Sequence, residues 1–165
     1  MENKYCSLVG GIMMIISVFL PVTFYYFTYR TGNFTFTLVI FYWMFGYLYI
    51  GAFGEGYGET FQESGIFFDI EYVGLICMIM IILVSVIIIA KSYNTTSKFS
   101  MHGGILNVLI MFLYLVAFYS GFMITQRTII QNFLRSGIGV MIPFLGVFLC
   151  LIGGMLSMMG GSFRE

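Results

Sequence analysis

Apolar residues run along this chain in four long blocks, near residues 7–27, 72–90, 103–125 and 137–159. Each block approaches the roughly 20 residues that a helix needs to cross a hydrocarbon core. None carries Asp, Glu, Lys or Arg in its interior. The pattern predicts an all-α integral membrane protein: a four-transmembrane-helix bundle formed by 1–165 as a single polytopic domain. A short polar turn separates the second and third blocks, and a second connection with two arginines separates the third and fourth.

The blocks differ in their small residues. The first holds Gly10, Gly11 and Ser17, with Pro21 in its outer half. A kink there is tolerable if neighbours satisfy the freed carbonyl. Its aromatic end (Phe24, Tyr25, Tyr26, Phe27, Tyr29) fits an interfacial belt. The run over 8–26 is longer than a signal-peptide core and no small-x-small cleavage site follows, so a retained first span is predicted. In the third block Asn107, Tyr114 and Gly121 step by seven, with Gly104 near its start. In the fourth, Gly139, Gly146, Gly153 and Gly160 step by seven. On a helix that step returns to nearly the same face, drifting about 20° per repeat. It predicts a stripe bare of side chains, where another backbone approaches closely and Cα–H···O contacts help hold the pair. The expected helix-packing residues are therefore Gly139, Gly146, Gly153, Gly160, Gly104, Gly121 and Asn107.

Residues 30–71 form the largest interruption, expected as a long exported first loop. Its opening alternates (Phe34, Thr35, Phe36, Thr37), which suggests a strand. The rest, up to residue 53, is rich in aromatics and includes the single tryptophan, Trp43; as a membrane-embedded helix it would make five spans instead of four. The stretch GEGYGETFQESG that follows reads as an acidic, turn-rich loop. Phe36, Phe41, Trp43, Tyr47 and Tyr49 are the expected partner-contact residues, since amphipathic rings suit both protein hot spots and lipid headgroups.

Composition strengthens the membrane reading. The 165 residues are 60% hydrophobic and 8% charged, against about 25% charged in soluble domains. Seven basic and seven acidic residues balance to zero, which gives a nucleic-acid partner no electrostatic support. With four spans and the N-terminus inside, Lys4, Lys91, Lys98 and Arg164 face the cytoplasm, while Arg30, Arg127 and Arg135 lie outside. That bias follows the positive-inside rule; five spans would reverse it. The expected localisation is an integral membrane protein with both termini cytoplasmic and the first loop outside.

Candidate chemistry is sparse. Glu55, Glu59 and Glu63 step by four, but Gly54, Gly56 and Gly58 oppose a helix there. No histidine accompanies them, so a solvated acidic loop is expected and no metal or cofactor. His102, the single histidine, opens the third block without a nearby cysteine or carboxylate. Cys6, Cys77 and Cys150 form no CxxC pair. Asn33-Phe34-Thr35 and Asn94-Thr95-Thr96 match the glycosylation sequon. Charged groups within spans mark proton- and ion-coupled transporters, and the blocks have none.

Three segments carry a resemblance: GGIMMIISVFLP, HGGILNVLIMFLYLV and SGIGVMIPFLGVFLCLIGGMLSMMGG. They are similar to uncharacterised small four-helix membrane proteins of archaeal type, and the similarity implies a topology without an activity. The four-span plan with a long first loop also resembles claudin-like tetraspans. Those carry a Trp motif and a Cys pair in that loop, whereas this chain has one Trp and no loop Cys. The expected function is that of a non-enzymatic structural or accessory membrane protein acting by helix packing and assembly. Its partners would be the lipid bilayer and either further copies of itself or other membrane proteins. The alternative is an oligomeric channel or carrier for a neutral solute, lined by Asn107, Tyr114 and Thr125.

Overall fold

The computed structural model describes residues 2–31, 34–54, 60–65, 72–93, 98–125 and 137–162. Its elements follow in the order α1 (Glu2–Val18), β1 (Thr23–Thr31), β2 (Phe34–Trp43), β3 (Gly46–Gly54), β4 (Thr60–Gly65), α2 (Tyr72–Ser92), α3 (Phe99–Thr125), β5 (Gly137–Pro143) and α4 (Leu145–Ser162). The described residues are mostly helical, with one sheet. Helices α1 and α3 each pack on both α2 and α4, so the four close into a ring with little contact across the α1–α3 diagonal.

The sheet is antiparallel throughout, in the order β4-β3-β2-β1-β5. Its first four strands arise between α1 and α2, and the fifth between α3 and α4. Successive side chains on a strand point to opposite faces. Tyr25 and Phe27 on β1 and Ile40 and Tyr42 on β2 are buried in one cluster on the inner face. Phe24 and Tyr26 on β1, with Phe41 and Trp43 on β2, alternate onto the outer face.

Two contacts fasten sheet to bundle. The last turns of α3 reach the inner face, where Phe118 packs against Tyr42 with ring centroids 5.1 Å apart. Phe118 touches both the helix core and the sheet core. The turn between β2 and β3 enters the helix core, where Met44 is 1% exposed. Gly74 on α2 lies directly against the Met44 carbonyl, so that any side chain at Gly74 would collide with backbone.

Four sequence expectations change. The chain is not all-α, since the five strands form a sheet. The first apolar block does not continue as helix to residue 27: α1 ends at Val18 and β1 starts at Thr23. Pro21 lacks a backbone N–H and disfavours helix in the residue before it, and the β-branched and aromatic run TFYYFTYRT favours a pleated surface. The last block likewise begins as β5 and becomes helix only beyond Pro143. The alternative fifth helix over 34–53 is replaced by the β2–β3 hairpin. The strand suggested by the alternation at residues 34–37 is present as the start of β2.

Two helical segments, Val73–Ser92 and Phe99–Ser120, are long and apolar enough to cross a membrane. Tyr5–Val18 and Leu145–Gly161 are shorter apolar helices.

Candidate functional site

The interior of the bundle combines an apolar core (Met14, Val18, Ile81, Ile88, Met111) with small and polar residues at the helix contacts. A Cβ on Gly10 would lie 2.5 Å from the Gly153 carbonyl oxygen. On the next face of α4, a Cβ on Gly104 would lie 2.7 Å from the Gly154 carbonyl oxygen. Adjacent glycines thus let α4 press against α1 with one face and α3 with the other. Ser157, one turn further on, lies against both Gly10 and Gly104.

Serine hydroxyls tie the same three helices together. Ser100 Oγ on α3 donates to Ser7 Oγ on α1 at 2.7 Å. Ser157 Oγ on α4 donates to the Ser100 carbonyl at 2.9 Å. All three serines are buried. Deeper in the bundle, Asn107 is fully buried, and its Nδ2 donates to Ser85 Oγ at 2.9 Å. Ser85 Oγ donates in turn to the Ile81 carbonyl at 2.6 Å. Asn107 Oδ1 finds no donor among the described residues.

The outward faces are the reverse. Tyr5, Val9, Ile12, Ile16 and Phe19 form an exposed stripe along α1 and just beyond it. Ile76, Leu83 and Val86 on α2, Leu109, Phe112 and Leu113 on α3, and Phe148, Ile152 and Met155 on α4 are exposed in the same way. Isoleucine, leucine and phenylalanine thus cover the outside of a bundle whose interior also holds serine, asparagine and glycine. In water so much exposed apolar surface would be unfavourable, because apolar surface is driven inward.

The outer sheet face is graded along the strands. Its first cross-strand row is Phe41, Phe24 and Ile142, paired in register. Here Phe24 and Phe41 lie 5.3 Å apart, and both pack on Phe144 at 5.8 and 5.9 Å. Trp43 packs on Phe41 at 6.3 Å. Trp43 Nε1 donates to the Phe19 carbonyl at 3.1 Å, satisfying one of the carbonyls left free at the end of α1. Beyond it, on β1 and β2, the second row pairs Tyr26 with Val39 and the third pairs Thr28 with Thr37. Thr28 Oγ1 donates to Tyr26 Oη at 2.8 Å. Polarity therefore rises from the helix end of the sheet to its far side.

The residues singled out in the sequence fall into separate places. Gly139 lies on β5 opposite Phe27, so the helical seven-residue step does not include it. A Cβ on Gly146 would meet the carbonyl of Ser17 in the last turn of α1 and those of Leu20 and Pro21 just beyond it. Gly153 and Gly104 lie at the two close approaches, and Gly160 is buried near the end of α4. Gly121 is on α3, with its surroundings outside the described residues. Of the expected partner contacts, Phe36 packs inward on Phe27 at 6.3 Å, whereas Phe41 and Trp43 are on the outer face. Tyr47 and Tyr49 lie on β3 in register with Tyr42 and Ile40, and their side chains are outside the described residues. The five residues do not form one patch.

Asn107 and Tyr114 are both buried in the helix core, and Tyr114 Oη donates to the Trp43 carbonyl at 3.5 Å. Glu63 is on β4, while Glu55, Glu59 and the second sequon lie outside the described residues. No group of three metal-ligating side chains occurs among the described residues. Gly154, Ser100 and Met44 were not singled out from the sequence. The doubled glycine at 153–154 and the serines among apolar neighbours were the available signals.

No protein-family description matches this chain, and no curated protein matches it.

Proposed function

We propose that the chain is an integral membrane protein with four spans and an exported sheet, and that it acts by assembly rather than by catalysis. Helices α1 to α4 cross the bilayer, the termini share the cytoplasmic side, and the sheet stands outside. This layout is that of a claudin-like tetraspan, without the loop cysteines. The apolar exterior carries the proposal: exposed Ile, Leu, Val, Met and Phe on all four helices surround an interior that holds buried Ser7, Ser17, Ser85, Asn107 and Ser157. Lipid is the medium in which such a bundle is stable, since small residues and interhelical hydrogen bonds pack it while bulky apolar side chains face the acyl chains.

The sheet is the element available to other proteins, being the part that leaves the helix layer among the described residues. Three measurements test the proposal. The protein should stay with membranes through an alkaline wash, and tags on the two termini should become protease-accessible only when the membrane is opened from the cytoplasmic side. Release by alkali, or termini on opposite sides, would exclude four spans. The mass of the particle extracted in mild detergent then tests assembly; a single copy with no companion would exclude it.

A further inference from the structure

Resting on the four-span bundle proposed above, we infer that phospholipid of the outer leaflet covers the base of the sheet's outer face. There Phe24, Phe41, Trp43, Ile142 and Phe144 complete the apolar wall that α1 and α4 leave short.

Three observations carry this. The first is length. Helix α2 offers an apolar segment of 20 residues and α3 one of 22, or about 30 Å or more at 1.5 Å per residue, which matches a hydrocarbon core of about 30 Å. The apolar segment Tyr5–Val18 of α1 spans only about 21 Å on the same rise. Leu145–Gly161 of α4 reaches about 25 Å. These two helices pack on each other, so the shortfall lies on one side of the bundle.

The second is position. The chain leaves α1 through Phe19, which is 58% exposed, and enters α4 through Leu145, which is 54% exposed. Phe144 and Trp43 join these ends to the outer sheet face, through the rings of Phe24 and Phe41 and the Trp43 hydrogen bond to the Phe19 carbonyl. The outward stripes of α1 and α4 thus continue onto β1, β2 and β5 without a polar break. Ile142 and Pro143 are exposed on β5 at the same level.

The third is the gradient across the rows. On β1 and β2 the apolar pair Phe24–Phe41, then the exposed Tyr26 beside Val39, then Thr28 beside Thr37 follow the order hydrocarbon, headgroup, water. Successive rows on one face are about 7 Å apart, so one to two rows make up the missing length of α1. A protein partner would require no such grading along the membrane normal. Tryptophan and tyrosine at the boundary have the apolar body and polar tip that suit this zone.

Trp43 is the only tryptophan, so its fluorescence reads one position. The full-length protein is reconstituted into phosphatidylcholine vesicles, and its flotation with lipid after an alkaline wash is checked first. Replacing the lipid by phosphatidylcholine brominated near the headgroup end of its acyl chains should remove most of the Trp43 emission, and aqueous iodide should remove little. In a Trp43→Phe background, Thr37→Trp should behave the other way, quenched by iodide and not by brominated lipid. Iodide quenching of Trp43 without lipid quenching would overturn the inference. So would emission insensitive to both quenchers, because protein would then seal the site. Failure to float with the vesicles would instead reject the membrane bundle, and the inference with it.

Discussion

Gly10 and Gly153 face each other across the α1–α4 contact so closely that neither has room for a side chain. A Cβ on Gly153 would lie 2.8 Å from the Gly10 carbonyl oxygen, and the reverse distance is 2.5 Å. Both obstacles are backbone, which cannot rotate away as a side chain can. Gly153→Leu should therefore push α1 and α4 apart and destabilise the folded protein by about 1–3 kcal/mol or more, the usual cost of overpacking. Thermal unfolding in mild detergent measures this. Ile152→Leu, one position away and exposed, is the control and should leave the midpoint unchanged. An unchanged midpoint for Gly153→Leu would show that the helices are not held at this distance.

The Asn107–Ser85 hydrogen bond joins α3 to α2 at 2.9 Å in a fully buried setting. Interhelical hydrogen bonds of this kind are worth about 0.6 kcal/mol on average and under about 2 kcal/mol at most. A double-mutant cycle with Asn107→Ala and Ser85→Ala should return a coupling in that range. Zero coupling would mean that the two side chains act independently.

Ser100 contacts Ser7 and Ser157 on two other helices. Ser100→Ala should lower stability by about 1 kcal/mol, the typical net value of a buried hydrogen bond. Ser100→Val should cost more, because the added methyl group must enter a site bounded by the α1–α4 contact. Equal melting temperatures for the two variants would argue that the site has spare volume.

Met44 holds the β2–β3 turn in the helix core. Met44→Ala removes a side chain that is 1% exposed and should cost about 2–5 kcal/mol. Gly74→Val acts on the same contact from the other side, against the Met44 carbonyl. Both variants should raise the rate of proteolysis within residues 34–65 while the helices remain extractable as one unit. Protease resistance equal to that of the parent protein would indicate that the other contacts, Phe118 with Tyr42 and Trp43 with the Phe19 carbonyl, secure the sheet without the Met44 plug.

Helices α2 and α3 were legible because uninterrupted apolar runs of sufficient length have few other outcomes. The beginning of β2 was legible from its strict alternation of Phe and Thr. Strands β1 and β5 were hidden for a common reason. Both abut an apolar helix and meet it with apolar and aromatic residues, so a hydropathy window merges each with its neighbour. Pro21 and Pro143 were the visible punctuation. A proline within an apolar run is ambiguous, because membrane helices tolerate it when neighbours satisfy the freed backbone groups. The glycine repeat misled in part for a related reason. Gly153 lies at a helix contact, yet Gly139 obeys the same spacing while sitting in a strand. Spacing on a helix has meaning only where the helix exists. The Met44 plug left no sequence signal at all, since it depends on where a hairpin docks.

The pairing of β1 with β5 imposes an order on synthesis. In the proposed four-span topology β1 is exported as soon as α1 is in place, but its partner β5 emerges only after α3 has been made, from the far end of the chain. Through that interval the free edge of β1 presents unpaired N–H and C=O groups to other chains. The last strand and the last helix close the two layers together: β5 seals the sheet, and α4 inserts between α1 and α3. A chain stopped before residue 137 would lack both closures at once, leaving an open strand edge outside the membrane and an open helix groove within it. Quality control of the growing polypeptide would then have two exposed surfaces to recognise, one on each side of the lipid headgroups.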